Sequence, residues 1–288
     1  MHDFDYLAPT RTEEVCRLLQ QHGDEARVIA GGTALILALR QRLVMPTALV
    51  SLAGVATLRQ IAVDNGQLHI GACCTHTQIA SSAIVQQHAP ALAMLAGKLA
   101  NPQVRHQGTL GGNLVYADPT TDPPGCLLAM NAQVVLHGPA GERHLRIEEF
   151  LTDYFETALQ PNEVLTRIAI PLASSQAQTT YLRHLRTPAD HRPMANVTVH
   201  SDTTPTGPVF RVVVGAATPM PWSVPFASDW IGVAPNAARV HDFATQVAAQ
   251  MDALSDTRCE PHYRRDVVRV LTARALERHF SLDTRSTT

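Results

Sequence analysis

The sequence predicts an α+β protein of two domains. In the first part of the chain, short apolar segments typical of strands alternate with segments whose apolar residues recur at helical spacing. A polar stretch at residues 173–178 interrupts this pattern, and several strand-like segments followed by two helical ones come after it. Runs of strands followed by runs of helices are typical of the α+β class. We therefore expect one domain over residues 1–173 and a smaller one, an antiparallel sheet with helices, over residues 178–288.

The first domain begins with strands and helices in alternation. Thr12 is expected to cap the first helix, because Thr is favoured at that position. Val28 to Ala30 is expected to form a strand that leads into a helix ending near Arg42. Thr47 to Leu52 is a second apolar segment, and we expect it to run parallel to the first strand because a helix intervenes.

Hairpins and further helices complete this domain. The turn Asp64-Asn65-Gly66 between two apolar segments predicts a hairpin. One helix is expected over Ile84 to Leu99, a second hairpin over residues 134–145, and the last strand over residues 163–171.

The second domain is expected to contain three antiparallel strands and two helices. The strands fall at residues 180–185, 195–199 and 209–216, and the helices around residues 237–251 and 263–280. The arginines of the last helix are expected to form mostly a solvated face, with no catalytic role; they are Arg264, Arg265, Arg269 and Arg274.

Composition excludes several classes of function. The 288 residues are 45% hydrophobic and 17% charged with a net charge of −2, which gives no electrostatic case for nucleic acid or an anionic membrane. We expect a cytoplasmic protein, because we see no signal peptide and no apolar run of membrane-spanning length. The five cysteines lack C-x-x-C spacing and the fourteen histidines lack metal-site spacing, so we expect no metal on this chain.

Two pairs of adjacent glycines are the candidate functional features. In the first, an apolar strand ends at Gly31-Gly32-Thr33 and a helix follows, an arrangement whose free amides and helix dipole favour an anion. In the second, Gly111 and Gly112 are expected to allow positive φ and to leave their amides bare, and Asn113 is expected to tolerate a left-handed conformation. Taken alone, each pair is also explained by an ordinary hairpin or helix-start turn.

Both segments resemble signatures of a known family. Ala30 to Leu35 is similar to an Ala-Gly-Gly-Thr/His-x-Leu motif, and Thr109 to Asn113 to a Thr-Ile/Leu-Gly-Gly-Asn/Asp motif, of the flavoprotein subunit of molybdenum hydroxylases. That family includes the medium subunit of aerobic carbon monoxide dehydrogenase and the middle domain of xanthine dehydrogenase. The resemblance covers nearly the whole chain, and it implies a PCMH-type (vanillyl-alcohol-oxidase-like) FAD-binding domain followed by the smaller domain.

The resemblance also implies which residues bind FAD. Gly31, Gly32 and Thr33 would supply amides and a hydroxyl to the pyrophosphate, and apolar residues would line its flanks. It implies no catalytic residue and no metal ligand. The full implied set is Ile29, Ala30, Gly31, Gly32, Thr33, Ala34, Leu35, Leu99, Thr109, Gly111, Gly112, Asn113, Asp118, Asp122, Leu165, Tyr181 and Arg183.

For three of these residues, the sequence leaves two possible roles open. Asp118 either contacts the ligand or caps its own turn. Tyr181 either stacks near the flavin or packs between the domains. Arg183 stands where the family generally has Lys, and it either lies near the isoalloxazine, where a cation would stabilise reduced, anionic flavin, or is a surface arginine. The chain also departs from the family pattern at Ala34 and His106, so contacts with the pyrophosphate there would come from the backbone only.

The function implied by the resemblance is electron transfer. Substrate would be hydroxylated at a molybdopterin cofactor in a large partner subunit, and electrons would cross two [2Fe–2S] clusters in a small partner subunit to this FAD and then to an external acceptor. The expected assembly is a dimer of heterotrimers, that is, a heterohexamer. Two alternatives stay open: a self-sufficient FAD-dependent oxidoreductase of the same fold, and a scaffold protein that has lost flavin. Copurification of iron–sulfur and molybdenum partners would separate the first reading from the oxidoreductase.

Overall fold

A three-stranded parallel sheet opens the fold in the computed structural model, which describes residues 3–187 and 190–282. The strands lie in the order β1-β3-β2, and helices make the crossovers, as parallel pairing requires. The parallel pairing predicted for the segment after Thr47 is therefore confirmed. The elements are β1 (Asp5–Leu7), α1 (Thr12–His22), β2 (Ala26–Ile29), α2 (Leu35–Arg40) and β3 (Ala48–Ser51).

The start of α1 differs from the prediction. Arg11 occupies the N-cap position and Thr12 is the first helical residue, so Thr12 is not the cap. The carboxylate of Glu14 instead reaches back and accepts a hydrogen bond of 3.2 Å from the amide of Thr10. The prediction failed because a carboxylate in the first turn of a helix can accept a hydrogen bond from a backbone amide there, which is the role that a capping hydroxyl would otherwise have.

An antiparallel sheet of five strands forms the centre of the first domain. Its order is β4-β5-β10-β6-β7, so β10 lies between two hairpins. The hairpin predicted at Asn65-Gly66 is confirmed, and both residues take positive φ, as a two-residue turn between twisted strands requires. The strands are β4 (Ile61–Asp64), β5 (Gln67–Gly71), β6 (Gln133–Gly138), β7 (Gly141–Arg146) and β10 (Val164–Pro171).

Short helices connect the two hairpins and cover this sheet. The single helix predicted over Ile84 to Leu99 is wrong, because the segment forms two helices separated at Ala89. The proline that follows Ala89 disfavours helical backbone there. The elements are α3 (His76–Ser81), α4 (Ala83–His88), α5 (Pro90–Lys98), α6 (Pro102–Gln107), α7 (Leu110–Tyr116), α8 (Pro123–Ala129), α9 (Ile147–Phe150), β8 (Leu151–Asp153) and β9 (Glu156–Thr157).

The second domain is an antiparallel sheet with two helices packed on one face. The strand order is β11-β12-β13-β14, and the two helices pack on each other. Its core contains stacked aromatic rings, with the ring centroids of Phe210 and Trp230 6.0 Å apart. The elements are β11 (Gln178–His184), β12 (Ala195–Thr204), β13 (Gly207–Gly215), β14 (Trp222–Ser223), α10 (Ala237–Gln250) and α11 (Pro261–His279).

One arginine of α11 contradicts the predicted solvated face. Arg264 is completely buried, whereas Arg269 on the same helix has a side chain that is 37% exposed. The guanidinium of Arg264 lies 3.0 Å from a carboxylate oxygen of Asp256, in the segment before the helix. A buried charge needs such a partner, and the partner is provided by tertiary structure that helical spacing does not reveal. Of the helices within residues 3–187 and 190–282, none has the length and apolar character needed to cross a membrane.

One buried histidine, His279, ties α11 to the sheet, and a second, His200, joins strands β11 and β12. The ring of His279 bonds through Nδ1 to the Thr180 hydroxyl at 3.2 Å and through Nε2 to the Ser201 hydroxyl at 2.9 Å. The ring of His200 bonds through Nδ1 to the Thr179 hydroxyl at 2.8 Å. Burial lowers the pKa of each histidine to about 4.

We expect these histidines to make the fold sensitive to mild acid. Because each folded-state pKa lies below the ordinary value of 6.5, the contribution of each neutral histidine to stability is complete above pH 6.5 and falls as the pH drops toward 4. At pH 5 the loss is about 2 kcal/mol per histidine. Urea denaturation of the wild type and of His279→Gln at pH 7.5 and pH 5.0 measures it, and the variant should lose less stability between the two. The exposed control His262→Gln should behave as the wild type. Equal losses in all three proteins would contradict the assignment.

Candidate functional site

The first glycine pair lies just after β2 and packs against the segment that leads into the second motif. Gly32 takes φ of +70°, which favours glycine. Gly31 has no such φ, but a Cβ atom there would overlap the carbonyl oxygen of Gln107, one residue before Gly108 and the second motif. Gly31 is therefore required by a close backbone contact and Gly32 by its conformation.

Four consecutive backbone amides of the first motif are free. Within the described part of the chain, the amides of Gly31, Gly32, Thr33 and Ala34 donate to no acceptor, and these residues are half-exposed. Successive free amides in a turn form a concavity that binds anions. The helix that follows has only six residues, so the amides themselves, and not a long helix dipole, are the donors that this segment offers.

The second glycine pair is helical, which corrects the prediction. Gly111 and Gly112 lie in α7, neither has positive φ, and Asn113 is not left-handed. Their amides are not bare either: Gly111 donates to the carbonyl of Ala72 at 2.9 Å, and Gly112 donates to the hydroxyl of the N-cap residue Thr109 at 3.0 Å. The expectation failed because this pair serves close packing instead of a turn.

That close packing explains why Gly111 carries no side chain. A Cβ atom on Gly111 would lie 2.6 Å from the Cβ atom of Ala72, the residue that follows β5. The amide of Leu110 donates to the carbonyl of Cys74 at 3.0 Å, and the amide of His76 donates to the carbonyl of Gly108 at 3.1 Å. The segment after β5 therefore fixes the start of α7, and with it the second motif, next to the first.

Asn113 presents an acceptor that the protein does not use. Its amide nitrogen Nδ2 donates to the Thr121 hydroxyl at 2.8 Å, which fixes the side chain. Its oxygen Oδ1 is buried and has no hydrogen-bond partner among the described residues. Leaving a buried acceptor unpaired costs about 1–3 kcal/mol, so a ligand that donates a hydrogen bond at this place would remove a real penalty.

Asp122 lies in a buried cluster between the two domains. Its carboxylate accepts a short hydrogen bond from the Tyr181 hydroxyl and one of 2.9 Å from Nη1 of Arg183, and Nδ2 of Asn196 lies 3.3 Å away. Burial raises the pKa of Asp122, against the lowering effect of these three donors. Burial and the neighbouring carboxylate also raise the pKa of Tyr181 well above its usual value, so the phenol keeps its proton.

This cluster bears on two of the open alternatives. Tyr181 packs between the domains, with its hydroxyl on Asp122. Arg183 is not a free surface residue: its side chain is 17% exposed, and Nη2 also donates to the carbonyl of Lys98 at 2.5 Å. Arg183 thereby joins the second domain both to Asp122 and to the residue before Leu99.

The carboxylate of Asp118 is used within its own turn. One oxygen accepts from the amide of Thr120 at 2.9 Å and from its hydroxyl at 2.7 Å. The other oxygen lies 3.0 Å from Nη2 of Arg192. Both oxygens have partners, so the geometry favours the turn-capping alternative over a direct contact with a ligand.

The remaining predicted residues fall into a buried group and a partly exposed group. Leu99 and Leu165 are buried in the core of the first domain, and the carbonyl of Leu99 accepts from Arg105 at 2.9 Å. The apolar residues around the first motif are half-exposed and form the flanks of the free amides; they are Ile29, Ala30, Ala34 and Leu35.

Sequence reasoning did not identify Asn196 and Arg105 as members of the site. Asn196 is completely buried in a strand whose neighbours are apolar, and a lone amide in such a strand is the signal that marks it. Arg105 donates to the carbonyls of Leu99 and Ala100 and so shapes the turn before the second motif. Across the part of the chain that the structure describes, no three His, Cys, Asp or Glu side chains come together in a way that could hold a metal ion.

Several known proteins are similar to this chain. Residues 2–173 match the family described as the FAD binding domain in molybdopterin dehydrogenase. The carbon monoxide dehydrogenase medium chain of Hydrogenophaga pseudoflava is 36% identical over 168 residues, which span 58% of this chain and 58% of that protein. The nicotine 6-hydroxylase medium subunit of Paenarthrobacter nicotinovorans is 29% identical over 273 residues, which span 94% of this chain and 95% of that protein.

The fold agrees with a solved structure over almost its whole length. A chain of the Hydrogenophaga pseudoflava carbon monoxide dehydrogenase that lacks the Mo-pyranopterin moiety superposes with a TM-score of 0.91 and 28% identity, covering 97% of this chain and 98% of that one. The predicted α+β fold, an FAD-binding-type domain followed by an antiparallel sheet with helices, is therefore confirmed.

We expect the interdomain cluster to depend on the Tyr181 hydroxyl. In Tyr181→Phe a buried carboxylate loses a donor, so the free energy of unfolding should fall by about 1–3 kcal/mol. Chemical denaturation followed by circular dichroism measures this. The control is Tyr263→Phe on α11, where the ring is exposed and the change should stay within about 0.5 kcal/mol. Equal stability of the two variants would show that the hydroxyl of Tyr181 does not support Asp122.

Proposed function

The chain belongs to the family of FAD-binding domains of molybdopterin dehydrogenases, and we propose that it is the FAD-binding electron-transfer subunit of a molybdenum hydroxylase complex. The observation that carries the proposal is the convergence of two segments distant in sequence. Four free amides of the first motif lie next to a second motif that holds a buried acceptor without a partner. An extended ligand with both an anionic group and hydroxyl donors fits such a pair of segments.

The first motif would hold the pyrophosphate of FAD. Its free amides are donors, and the hydroxyl of Thr33 adds one more. No cation is needed for this role, because backbone amides in succession bind phosphate oxygens without one. The flanking apolar residues Ile29 and Leu35 would cover the sides of the ligand.

The second motif would hold the sugar-like part of FAD. Oδ1 of Asn113, which has no partner in the described part of the chain, would accept a hydrogen bond from a hydroxyl of FAD, and the hydroxyl of Thr109, which accepts from Gly112, still has its own proton to donate. Gly111 and Gly112 contribute by allowing α7 to approach β5, and not through their amides. Asp122 and Arg183 would border the site as a preformed pair, and Leu99 and Leu165 as apolar support behind it.

Bound FAD supplies the capacity to accept electrons from one partner and pass them to another. In our proposal the donor is a [2Fe–2S] cluster of a small partner subunit, a large partner subunit carries the molybdopterin cofactor, and the acceptor is external. The two relatives named above are subunits of a carbon monoxide dehydrogenase and of a nicotine 6-hydroxylase. Chains of this type therefore occur with different substrates, and this chain does not determine the substrate of the complex. The proposed domain division remains 1–173 and 178–288, whose outer ends at residues 1–2 and 283–288 lie outside the described residues.

Exposed apolar side chains next to both motifs support a role within a complex. After the first motif, Leu37, Leu43 and Met45 are each more than half exposed. After the second motif, Tyr116 and Phe155 are exposed and pack edge to face with ring centroids 5.2 Å apart. Exposed apolar groups of this kind are typical of surfaces that contact other proteins.

The two alternatives fit these observations less well. A scaffold that had lost flavin would have no reason to keep the unpaired buried oxygen of Asn113, since it lowers stability without a ligand. A self-sufficient oxidoreductase needs groups that act on its substrate, and the site described above offers no acid–base pair for that purpose.

Replacement of Asn113 tests the proposed site. Asn113→Leu removes the unpaired acceptor, so the affinity for FAD should fall about tenfold or more, while the stability without FAD should change little because a penalty is removed together with one hydrogen bond. Titration of the apoprotein with FAD, followed by flavin fluorescence, gives the affinity.

The matched control is Asn65→Gly, in the hairpin turn between β4 and β5, where the positive φ suits glycine. Its affinity for FAD should equal that of the wild type. Unchanged affinity in Asn113→Leu would contradict the assignment of the second motif, and failure of the wild type to bind FAD would contradict the proposed function.

A further inference from the structure

The second domain reaches the candidate site through one face of β12. Successive side chains of a strand point to opposite faces of its sheet. Ala195, Val197 and Val199 belong to the core shared with α10 and α11. Asn196 and Thr198 therefore face the other way, toward the first domain, where α8 packs against β12 and β13. This polar face of β12 is buried between the two domains.

One glycine from each domain makes room for the side chain of Asn196, which is completely buried. A Cβ atom on Gly215 of β13 would overlap Oδ1 of Asn196, and a Cβ atom on Gly125 of α8 would lie only 3.0 Å from the same oxygen. A larger residue at either place would displace the amide. The amide therefore occupies a space that both domains leave open for it.

The start of α8 leaves the Asp122 carboxylate free for donors of the second domain. The helix begins with Pro123 and Pro124, which have no amide hydrogen, and the side chain of the N-cap residue Asp122 makes no capping hydrogen bond. Nδ2 of Asn196 lies 3.3 Å from Oδ1 of Asp122 and 3.3 Å from the carbonyl oxygen of Thr121. Because both of these atoms are acceptors, the nitrogen of Asn196 faces them. Asn196 thus fixes the last two residues of the loop before α8.

Thr121 carries this contact to the second motif. Its carbonyl accepts from Asn196, and its hydroxyl accepts from Nδ2 of Asn113 at 2.8 Å. A side-chain amide has a donor at one end and an acceptor at the other, so the hydroxyl that holds Nδ2 also sets the position of Oδ1. Oδ1 of Asn113 is the buried acceptor that has no partner among the residues described by the structure. A displacement of Thr121 would therefore move the acceptor that the proposed FAD site offers.

We propose that Asn196 is a positioning residue of the FAD site: from the second domain it fixes Thr121, and through Thr121 it orients the acceptor of Asn113. This inference rests on the proposed function, which assigns Asn113 to FAD. Asn196 needs no contact with FAD for this role, because its amide is enclosed between α8 and β13. The family match covers residues 2–173, so the proposal extends the determinants of FAD binding beyond that domain.

Two variants on the same face of β12 test the proposal. Asn196→Ala removes the amide, and Thr198→Ala removes an equally buried side chain whose hydroxyl has no partner in the described part of the chain. Both should lose stability without FAD, which urea denaturation of the apoprotein measures. Only Asn196→Ala should also bind FAD more weakly, by about fivefold or more, because it alone loses hydrogen bonds to the loop.

Titration of the full-length apoprotein with FAD, followed by flavin fluorescence, gives the dissociation constants. Equal constants for Asn196→Ala and the wild type would overturn the proposal. An equal weakening in Asn196→Ala and Thr198→Ala would overturn it as well, because any loss of packing at this interface would then have the same effect.

A double-mutant cycle tests the route through Asn113. The acceptor is absent in Asn113→Leu, so the further change Asn196→Ala should weaken FAD binding by only about twofold in that background. Full additivity of the two changes would overturn the proposal, because Asn196 would then affect FAD binding by another route.

Thr121 provides the deciding variants if circular dichroism shows that Asn196→Ala does not fold. Thr121→Val keeps the shape of the side chain but removes the hydroxyl that holds Asn113. FAD binding should weaken by about fivefold or more in this variant, and Thr121→Ser, which keeps a hydroxyl, should bind FAD as the wild type does. Unchanged binding in folded Thr121→Val would overturn the proposal.

Failure of this inference and failure of the proposed function give different results. A wild-type chain that binds no FAD would overturn both. A wild-type chain that binds FAD, with weaker binding in Asn113→Leu but not in Asn196→Ala or Thr121→Val, would overturn the positioning role alone.

Discussion

The contact between the backbone of Gly31 and the carbonyl of Gln107 is the constraint on which the candidate site depends. It places the end of a parallel strand directly against the segment that leads into α7, and no residue other than glycine fits at Gly31. The consequence is chemical as well as structural: the free amides of the first motif and the unpaired oxygen of Asn113 come to the same region from distant parts of the sequence. Neither segment alone offers donors and an acceptor together.

The second domain contributes to the same region through buried charge. Asp122 is almost completely buried, and a carboxylate in that position is tolerated only because the other domain supplies a phenol, a guanidinium and an amide to it. Removal of one member of such a cluster leaves a buried charge without a partner. The resulting loss of stability is larger than the net stability that the intact cluster contributes. Polar groups next to the proposed cofactor site therefore fix the position of one domain relative to the other. A displacement of either domain would change the contact between Asp122 and Arg183.

Local rules predicted much of the fold, and distant contacts explain the exceptions. The Asn65-Gly66 hairpin and the parallel pairing of β2 with β3 follow from turn chemistry and from the intervening helix, and both are present. Gly111 was predicted to be a turn glycine because its neighbour in space, Ala72, cannot be seen in the sequence. Arg264 was assigned to a solvated face for the same reason, since its partner Asp256 lies in a loop that helical spacing ignores. The motifs pointed to the candidate site, but its free amides, its unpaired oxygen and the contacts of Asn196 could be found only in the structure.

Purification of the chain from its native source, with a tag on this subunit alone, tests the central claim most directly. The sample is measured for visible flavin absorbance, for iron and for molybdenum. We predict a flavin spectrum together with both metals, because the chain is proposed to hold FAD within a complex whose other subunits carry the metal centres. A colourless chain that takes up no added FAD would contradict the account, and a flavin-containing chain free of both metals would favour the self-sufficient oxidoreductase.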